Sequence, residues 1–172
     1  VSKHHNPLRL NVGFIIHEAL GYTRDFEFDF PHLELAEDLP VKDLKGKITF
    51  NRTQKGILTN ASLSATIPLE CARCLDPILS TFTSGFTELF IFGETAETED
   101  ELIIPEDGNI DFAPIIREYL LLDMPRNPLC KEDCAGLCPQ CGANRNHTQC
   151  DCKPEDIDPR FSKLKDLLDK EE

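Results

Sequence analysis

Hydrophobic and polar residues alternate along most of the first two thirds of the chain. Leu8-Arg9-Leu10-Asn11-Val12 and Phe26-Glu27-Phe28-Asp29-Phe30 both repeat with period two, which puts alternate side chains on one face of a half-buried antiparallel strand. Ile48 to Arg52 and Ile57 to Leu69 flank Thr53-Gln54-Lys55-Gly56, and that arrangement predicts a hairpin. Ala61, Leu63, Ala65 and Ile67 keep the alternation in the second arm. Pro68 lacks a ladder donor, so it ends that strand or puts it at an edge. Ile78 to Phe92 sets Phe82, Phe86 and Phe90 among threonines and predicts a further strand, and Leu102 to Ile104 a short one.

The period then changes. Asp111 is positioned to cap a helix from Phe112 to about Leu122, with Pro114 tolerable in its first turn. Ile115, Ile116, Tyr119, Leu120 and Leu122 predict its buried face, and Pro125 and Pro128 stop it. Near the end, Asp158 and Pro159 open a second helical pattern with Phe161, Leu164, Leu167 and Leu168 on one face. That amphipathic face suits docking on its own domain or on a partner. The expected fold is α+β: a mainly antiparallel β-sheet or barrel-like domain with one or two helices and a C-terminal cysteine-rich, zinc-binding segment. The division expected is a mainly β unit over 1–125 and a cysteine-rich segment over 126–172, packed on the first. No internal repeat is evident.

Composition narrows the function. The 172 residues suit one domain with a modest extension, and 40% hydrophobic content supports a core without any tryptophan. No apolar run approaches the roughly 20 residues that span a bilayer. Val1 to Val12 carries His4, His5 and Arg9 and no apolar core of a secretory signal, so a reducing cytoplasm is the expected compartment. Charge is acidic, 18 Lys plus Arg against 31 Asp plus Glu, a net of −13. That opposes a simple nucleic-acid binder, which needs cations for phosphates. From Gly85 to Asp111 the acids Glu88, Glu94, Glu97, Glu99, Asp100, Glu101, Glu106, Asp107 and Asp111 occur without a Lys or Arg. This stretch reads as a solvated loop around Gly93 to Glu101, or as a docking face for a basic protein. The cysteine-rich segment is the more basic part: Arg126, Lys131, Arg145 and Lys153 slightly outnumber Glu132, Asp133 and Asp151.

The eight cysteines carry the chemistry. Cys71-Ala72-Arg73-Cys74 stands at the end of a predicted strand. Cys130, Cys134, Cys138-Pro139-Gln140-Cys141-Gly142 and Cys150-Asp151-Cys152 are grouped later. Thiolates are the soft ligands zinc prefers, and a structural zinc takes four in a tetrahedron. Eight sulfurs therefore match two closed sites and two Zn2+ ions, with no open position for water or substrate. A disulfide cluster or redox array is the competing reading, and a cytoplasmic setting disfavours it. In one partition Cys138, Cys141, Cys150 and Cys152 form a local site, while Cys71, Cys74, Cys130 and Cys134 bridge distant parts of the chain. In the other, Cys130, Cys134, Cys138 and Cys141 share an ion. The first is preferred, because it closes the long loop between the two groups and gains most from that closure. His147 is an available substitute ligand, but the thiols suffice without it.

Enzyme signatures are incomplete. His32-Leu33-Glu34 supplies half of a nucleobase deaminase signature, but no Pro directly precedes Cys138 or Cys71. His17-Glu18 lacks the second His of a metalloprotease helix. A thiol oxidoreductase at Cys71 and Cys74 would want a helix start there to lower a thiol pKa, and Pro77 with a strand-like run follows instead.

Cys71-Ala-Arg-Cys-Leu75, joined to Leu129-Cys-Lys-Glu-Asp-Cys-Ala-Gly-Leu-Cys-Pro-Gln-Cys-Gly142 and to Cys150-Asp-Cys152 before Asp158-Pro-Arg-Phe161, resembles the YceD family, the large ribosomal RNA subunit accumulation proteins. The resemblance covers most of the chain and is strongest over Cys71 to Leu75 and Asp111 to Leu168. It implies a bacterial or plastid factor needed for normal accumulation of large-subunit ribosomal RNA, and not an enzyme. Some members of the family lack part or all of the cysteine set, so zinc would support the fold in this branch. The expectation is a non-enzymatic, zinc-binding biogenesis factor that binds precursor rRNA or a basic ribosomal protein. The alternative is a zinc-stabilised protein-interaction module, a chaperone for a basic partner. Arg73, Arg126, Lys131, Arg145 and Arg160 are the candidates for RNA phosphate. No membrane and no small-molecule substrate are expected.

Overall fold

The computed structural model describes residues 6–35, 39–93 and 101–152. Its elements in chain order are β1 (Arg9–Asn11), α1 (Gly13–Ile16), β2 (Thr23–Glu34), β3 (Pro40–Arg52), β4 (Gly56–Glu70), β5 (Pro77–Ile91), β6 (Asn109–Asp111) and α2 (Ala113–Asp123). Strands β2, β3, β4 and β5 form an antiparallel meander in that spatial order, and β1 pairs with β6 in a separate two-stranded sheet. The mainly antiparallel fold with two helices agrees with the alternation. The four-stranded sheet is open, not closed as a barrel, because no pairing joins β2 to β5 among the described residues.

One face of the meander is the core. The register aligns Phe26 with Ile48, Ile48 with Ala61, and Ala61 with Phe86 across four strands. Phe28, Leu44, Ile48, Phe50, Ile57, Leu63, Ala65, Phe86 and Phe90 are buried on it. Leu8, Val12, Ile15, Phe112, Ile116 and Leu120, in or next to β1, α1 and α2, join this core. Phe112 packs against Phe50 and Phe90 at ring separations of 5.7 and 5.6 Å. The opposite face is polar. There Lys47 and Lys45 pair with Asp25 and Asp29 at 2.6 and 3.3 Å, and Lys47, then Thr49, hold the Asp25 carboxyl below its ordinary range.

Helix α2 starts at Ala113, one residue later than predicted, with Phe112 at the N-cap and Asp111 one residue before it. The Asp111 carboxylate accepts the Ala113 N–H at 2.9 Å, satisfying a first-turn donor. Pro114 lies in that first turn. The helix docks on β5 through Tyr119, which stacks on Phe86 and donates to Glu88, and through Asp123, which accepts the Ser84 hydroxyl. Leu122 is a correction. It is 71% exposed, because the helix spends its inward positions on Ala113, Ile116 and Leu120, and Leu122 falls off that stripe.

Pro68 does not end its strand but takes the other expected place, a local edge: β4 continues to Glu70. The β3 register stops at Thr66, so Pro68 sits where β4 keeps only its β5 neighbour, a place that tolerates a missing donor. The segment at Leu102 to Ile104 makes a single parallel bridge, Ile91 with Ile103, not a strand. The predicted loop over most of 93–101 and the predicted tail helix from Asp158 lie outside the described residues. No helix of the described residues is long and apolar enough to cross a membrane.

Candidate metal centre

The hairpin β4–β5 carries the first cysteine pair. Cys71 and Cys74 lie in the connection between Glu70 and Pro77. Cys71 and Cys74 are buried there in a small cluster with Cys134 and Ile78, distinct from the sheet core.

The two Cys-x-x-Cys turns have the same local form. The N–H of Leu75 donates to the Cys71 carbonyl at 3.0 Å, and the N–H of Gly142 to the Cys138 carbonyl at 2.9 Å. The residue after the second cysteine is left-handed in both, with φ of 61° at Leu75 and 72° at Gly142. Glycine takes that conformation freely; leucine takes it at a cost of about 1–2 kcal/mol.

The sulfurs gather into two tetrads. Cys71, Cys74, Cys130 and Cys134 form tetrad A, and Cys138, Cys141, Cys150 and Cys152 form tetrad B, with the four sulfurs of each mutually within 4.8 Å. This is the bridging-plus-local partition. Sγ···Sγ distances of 3.8 Å for Cys71–Cys134 and 3.6 Å for Cys74–Cys130 far exceed a disulfide bond of about 2.05 Å. They match the edge of about 3.8 Å expected of a tetrahedron with metal–sulfur bonds near 2.3 Å. All eight thiols are free. Each tetrad could hold a metal ion. His147 belongs to neither, its Nε2 lying 3.1 Å from Asp76 Oδ2.

Backbone contacts fasten the second segment onto the first turn. Ala72 N–H donates to the Pro128 carbonyl at 2.8 Å and Leu137 N–H to the Arg73 carbonyl at 3.0 Å. The Arg73 guanidinium donates to the Cys134 carbonyl at 3.1 Å. A Cβ on Gly136 would sit 3.1 Å from the Arg73 carbonyl oxygen, so the approach there is tight.

The thiols divide in their acidity. Burial pushes Cys71 up, but the N–H groups of Arg73, Cys130 and Cys74 overcome it and leave the thiol at about 6. The N–H groups of Cys141 and Gln140 bring Cys138 to about 6. The Asn146 amide is the first cause of a lowered Cys134. Burial raises Cys74 and Cys130, and neighbouring Cys141 raises Cys152 to about 12. A turn that aims several N–H groups at sulfur is built to stabilise thiolate.

Of the cationic candidates, Arg126 and Arg145 are exposed, with side chains that make no hydrogen bond or ion pair among the described residues. Lys131 stands 3.9 Å from Asp133, and Arg73 is committed to Cys134. Arg160 lies outside the described residues. The acids of 85–111 are partly committed: Glu88 to Tyr119, Asp107 to Arg9 at 2.7 Å, and Asp111 to Ala113 and Asn6. Sequence reasoning missed Asp76, Asn144 and Asn146. Asp76 takes hydrogen bonds from Cys74, Asn144 and His147, which hold its carboxyl below the ordinary range.

A family model described as Large ribosomal RNA subunit accumulation protein YceD matches residues 59–168, which contain both tetrads. A protein of Mycobacterium tuberculosis is 38% identical over 66% of this chain and 56% of its own length. YlbN of Bacillus subtilis is 33% identical over 75% of this chain and 74% of its own. The Large ribosomal RNA subunit accumulation protein YCED homolog 1, chloroplastic, of Arabidopsis thaliana is 27% identical over 67% of this chain and 46% of its own. The chain thus spans little more than half the length of the mycobacterial relative. No solved structure matches.

Proposed function

Because the chain belongs to the YceD family of large ribosomal RNA subunit accumulation proteins, we propose that it is a non-enzymatic factor in large-subunit ribosome biogenesis, held in shape by two zinc ions and supporting rRNA accumulation by binding precursor rRNA. The family is described as accumulation proteins, not as an enzyme class. The observation that carries the zinc reading is the pair of four-sulfur tetrads. Four thiolates saturate zinc and leave no position for an activated water, so the ions serve as structural clips. Cys71, Cys74, Cys130 and Cys134 hold one ion; Cys138, Cys141, Cys150 and Cys152 hold the other. Eight free thiols suit a reducing compartment such as the cytoplasm.

Precursor rRNA is favoured over a protein because Arg126 and Arg145 are uncommitted. Arg145 also lines a cleft of about 590 Å³ with Gln140, Thr148, Gln149, Asp151 and tetrad B cysteines, where its guanidinium is, among the described residues, the single cation available to a phosphate. A basic ribosomal protein is the second reading, supported by the net charge of −13. The test is recovery of the tagged protein from gently lysed cells with sequencing of bound RNA. Enriched large-subunit precursor RNA, lost in an Arg126→Glu, Arg145→Glu variant that still binds two metal ions, is expected. A single basic protein recovered without RNA would replace the RNA reading with that of a chaperone.

A further inference from the structure

The loop between Cys141 and Cys150 belongs to tetrad B by its ends but touches tetrad A with its side chains. Asn146 Nδ2 lies 3.3 Å from Cys134 Sγ. The orientation of that amide is determined, because its Oδ1 accepts the Ala135 N–H at 2.9 Å, which leaves the NH2 group facing sulfur. Its other proton goes to Asn144 Oδ1 at 3.0 Å. Asn144 Nδ2 in turn reaches both carboxylate oxygens of Asp76 at 2.9 and 3.0 Å, and Asp76 Oδ2 is 3.3 Å from Cys74 Sγ. Two asparagines thus span from one sulfur of tetrad A to a side chain beside another.

The loop is closed at its two ends by ligands of tetrad B, Cys141 and Cys150. Between them, Cys138 N–H, on a third tetrad B ligand, donates to the Ala143 carbonyl at 2.8 Å, and Arg145 N–H donates to the Gly136 carbonyl at 2.9 Å. A divalent ion with four thiolates carries a formal charge of −2, and a donor hydrogen-bonded to sulfur offsets part of it.

We infer that Asn144 and Asn146 couple the two tetrads, so that an ion in tetrad B places the amide that strengthens tetrad A and the two ions bind cooperatively. This rests on the zinc reading above. Coupling is reciprocal: each ion raises the other's affinity by the same factor. Asn146 is a positioning residue, since it touches a ligand sulfur and not the metal.

The experiment uses the full chain loaded with cadmium, whose NMR resonances report each four-thiolate site separately, under chelator competition. Asn146→Ala is expected to shift the tetrad A resonance and weaken that site by about 10- to 100-fold. Cys150→Ser, Cys152→Ser should weaken tetrad A by a comparable factor, and adding Asn146→Ala to it should cost little more, as expected when both changes remove one interaction. Leu20→Ala, an exposed substitution outside both tetrads, should move neither affinity. An unchanged tetrad A in Asn146→Ala, or fully additive losses in the combined variant, overturns the coupling. Absence of any cadmium resonance overturns the metal reading itself. Sheet amide signals in the same samples separate a lost donor from a lost fold, and if Asn146→Ala unfolds, Asn144→Ala decides in its place.

Discussion

At the scale of single residues, the thiols set the chemistry of the site. Cys71→Ser should reduce the bound metal from two ions to one at saturating metal, because tetrad B keeps all four of its sulfurs. Elemental analysis of the purified variant checks this, and an unchanged stoichiometry would count against the bridging assignment. Acidity adds a pH dependence of definite sign. Cys71 and Cys138 sit at about 6, so near pH 7.5 they are already thiolates and need lose no proton to bind metal. Cys74, Cys130, Cys150 and Cys152 are raised, and each gives up a proton on binding. Affinity should therefore fall as pH falls, and more steeply below about pH 6, where Cys71 and Cys138 also become protonated. Chelator titration from pH 8 to pH 5 would show the change in slope; a constant slope would contradict it. Gly142 accounts for the knuckle sequence: Gly142→Val should cost about 1–2 kcal/mol at its φ of 72°, measured as urea stability of the metal-loaded chain.

At the scale of elements, the β4–β5 hairpin is both one half of the four-stranded sheet and the support of tetrad A. Its start is sterically tight: a Cβ on Gly56 would fall 1.9 Å from the Phe90 carbonyl oxygen. Gly56→Ala should destabilise by about 3 kcal/mol, at the upper end for point substitutions, since the obstruction is backbone and cannot rotate away. Phe112 is the other critical contact, fully buried between β3 and β5 at the entry to α2. Phe112→Ala should cost about 3–5 kcal/mol in chemical denaturation, and a loss under 1 kcal/mol would mean that α2 is not seated as described.

At the scale of the whole molecule, two buried clusters coexist: a large apolar core on the inner face of the sheet, and a small cysteine cluster with Ile78. The sheet core contains no cysteine. Chelation should therefore release the segment after residue 125 while the sheet persists. Hydrogen exchange should show lost protection at Ala72, Leu137 and Cys138, whose N–H bonds depend on the docked segment, with β3 and β4 amides unchanged. Simultaneous loss across β3 and β4 would mean that the ions hold the entire fold.

The sequence by itself determined the strands, the principal helix and the sulfur chemistry, because each is written in local spacing. Period two at Phe26 to Phe30 and Ala61 to Ile67 reports which face meets the core. Asp111 and Pro114 mark a helix start, and two residues between cysteines suffice to aim both sulfurs inward. The bridging partition was also legible, since a long loop gains most from a clip. Only the tertiary structure decided the rest. Whether the sheet closes depends on the relation of β2 to β5, strands separated by the whole meander. Leu122 was misplaced because the edge of a helical stripe is settled by what packs opposite. Glu88 and Asp107 read as free charge but find Tyr119 and Arg9 in space. Asp76, Asn144 and Asn146 carry no local pattern at all. They are ordinary turn residues in sequence, and they acquire their role only when the Cys141–Cys150 loop lies against Cys74 and Cys134, a juxtaposition made by contacts distant along the chain.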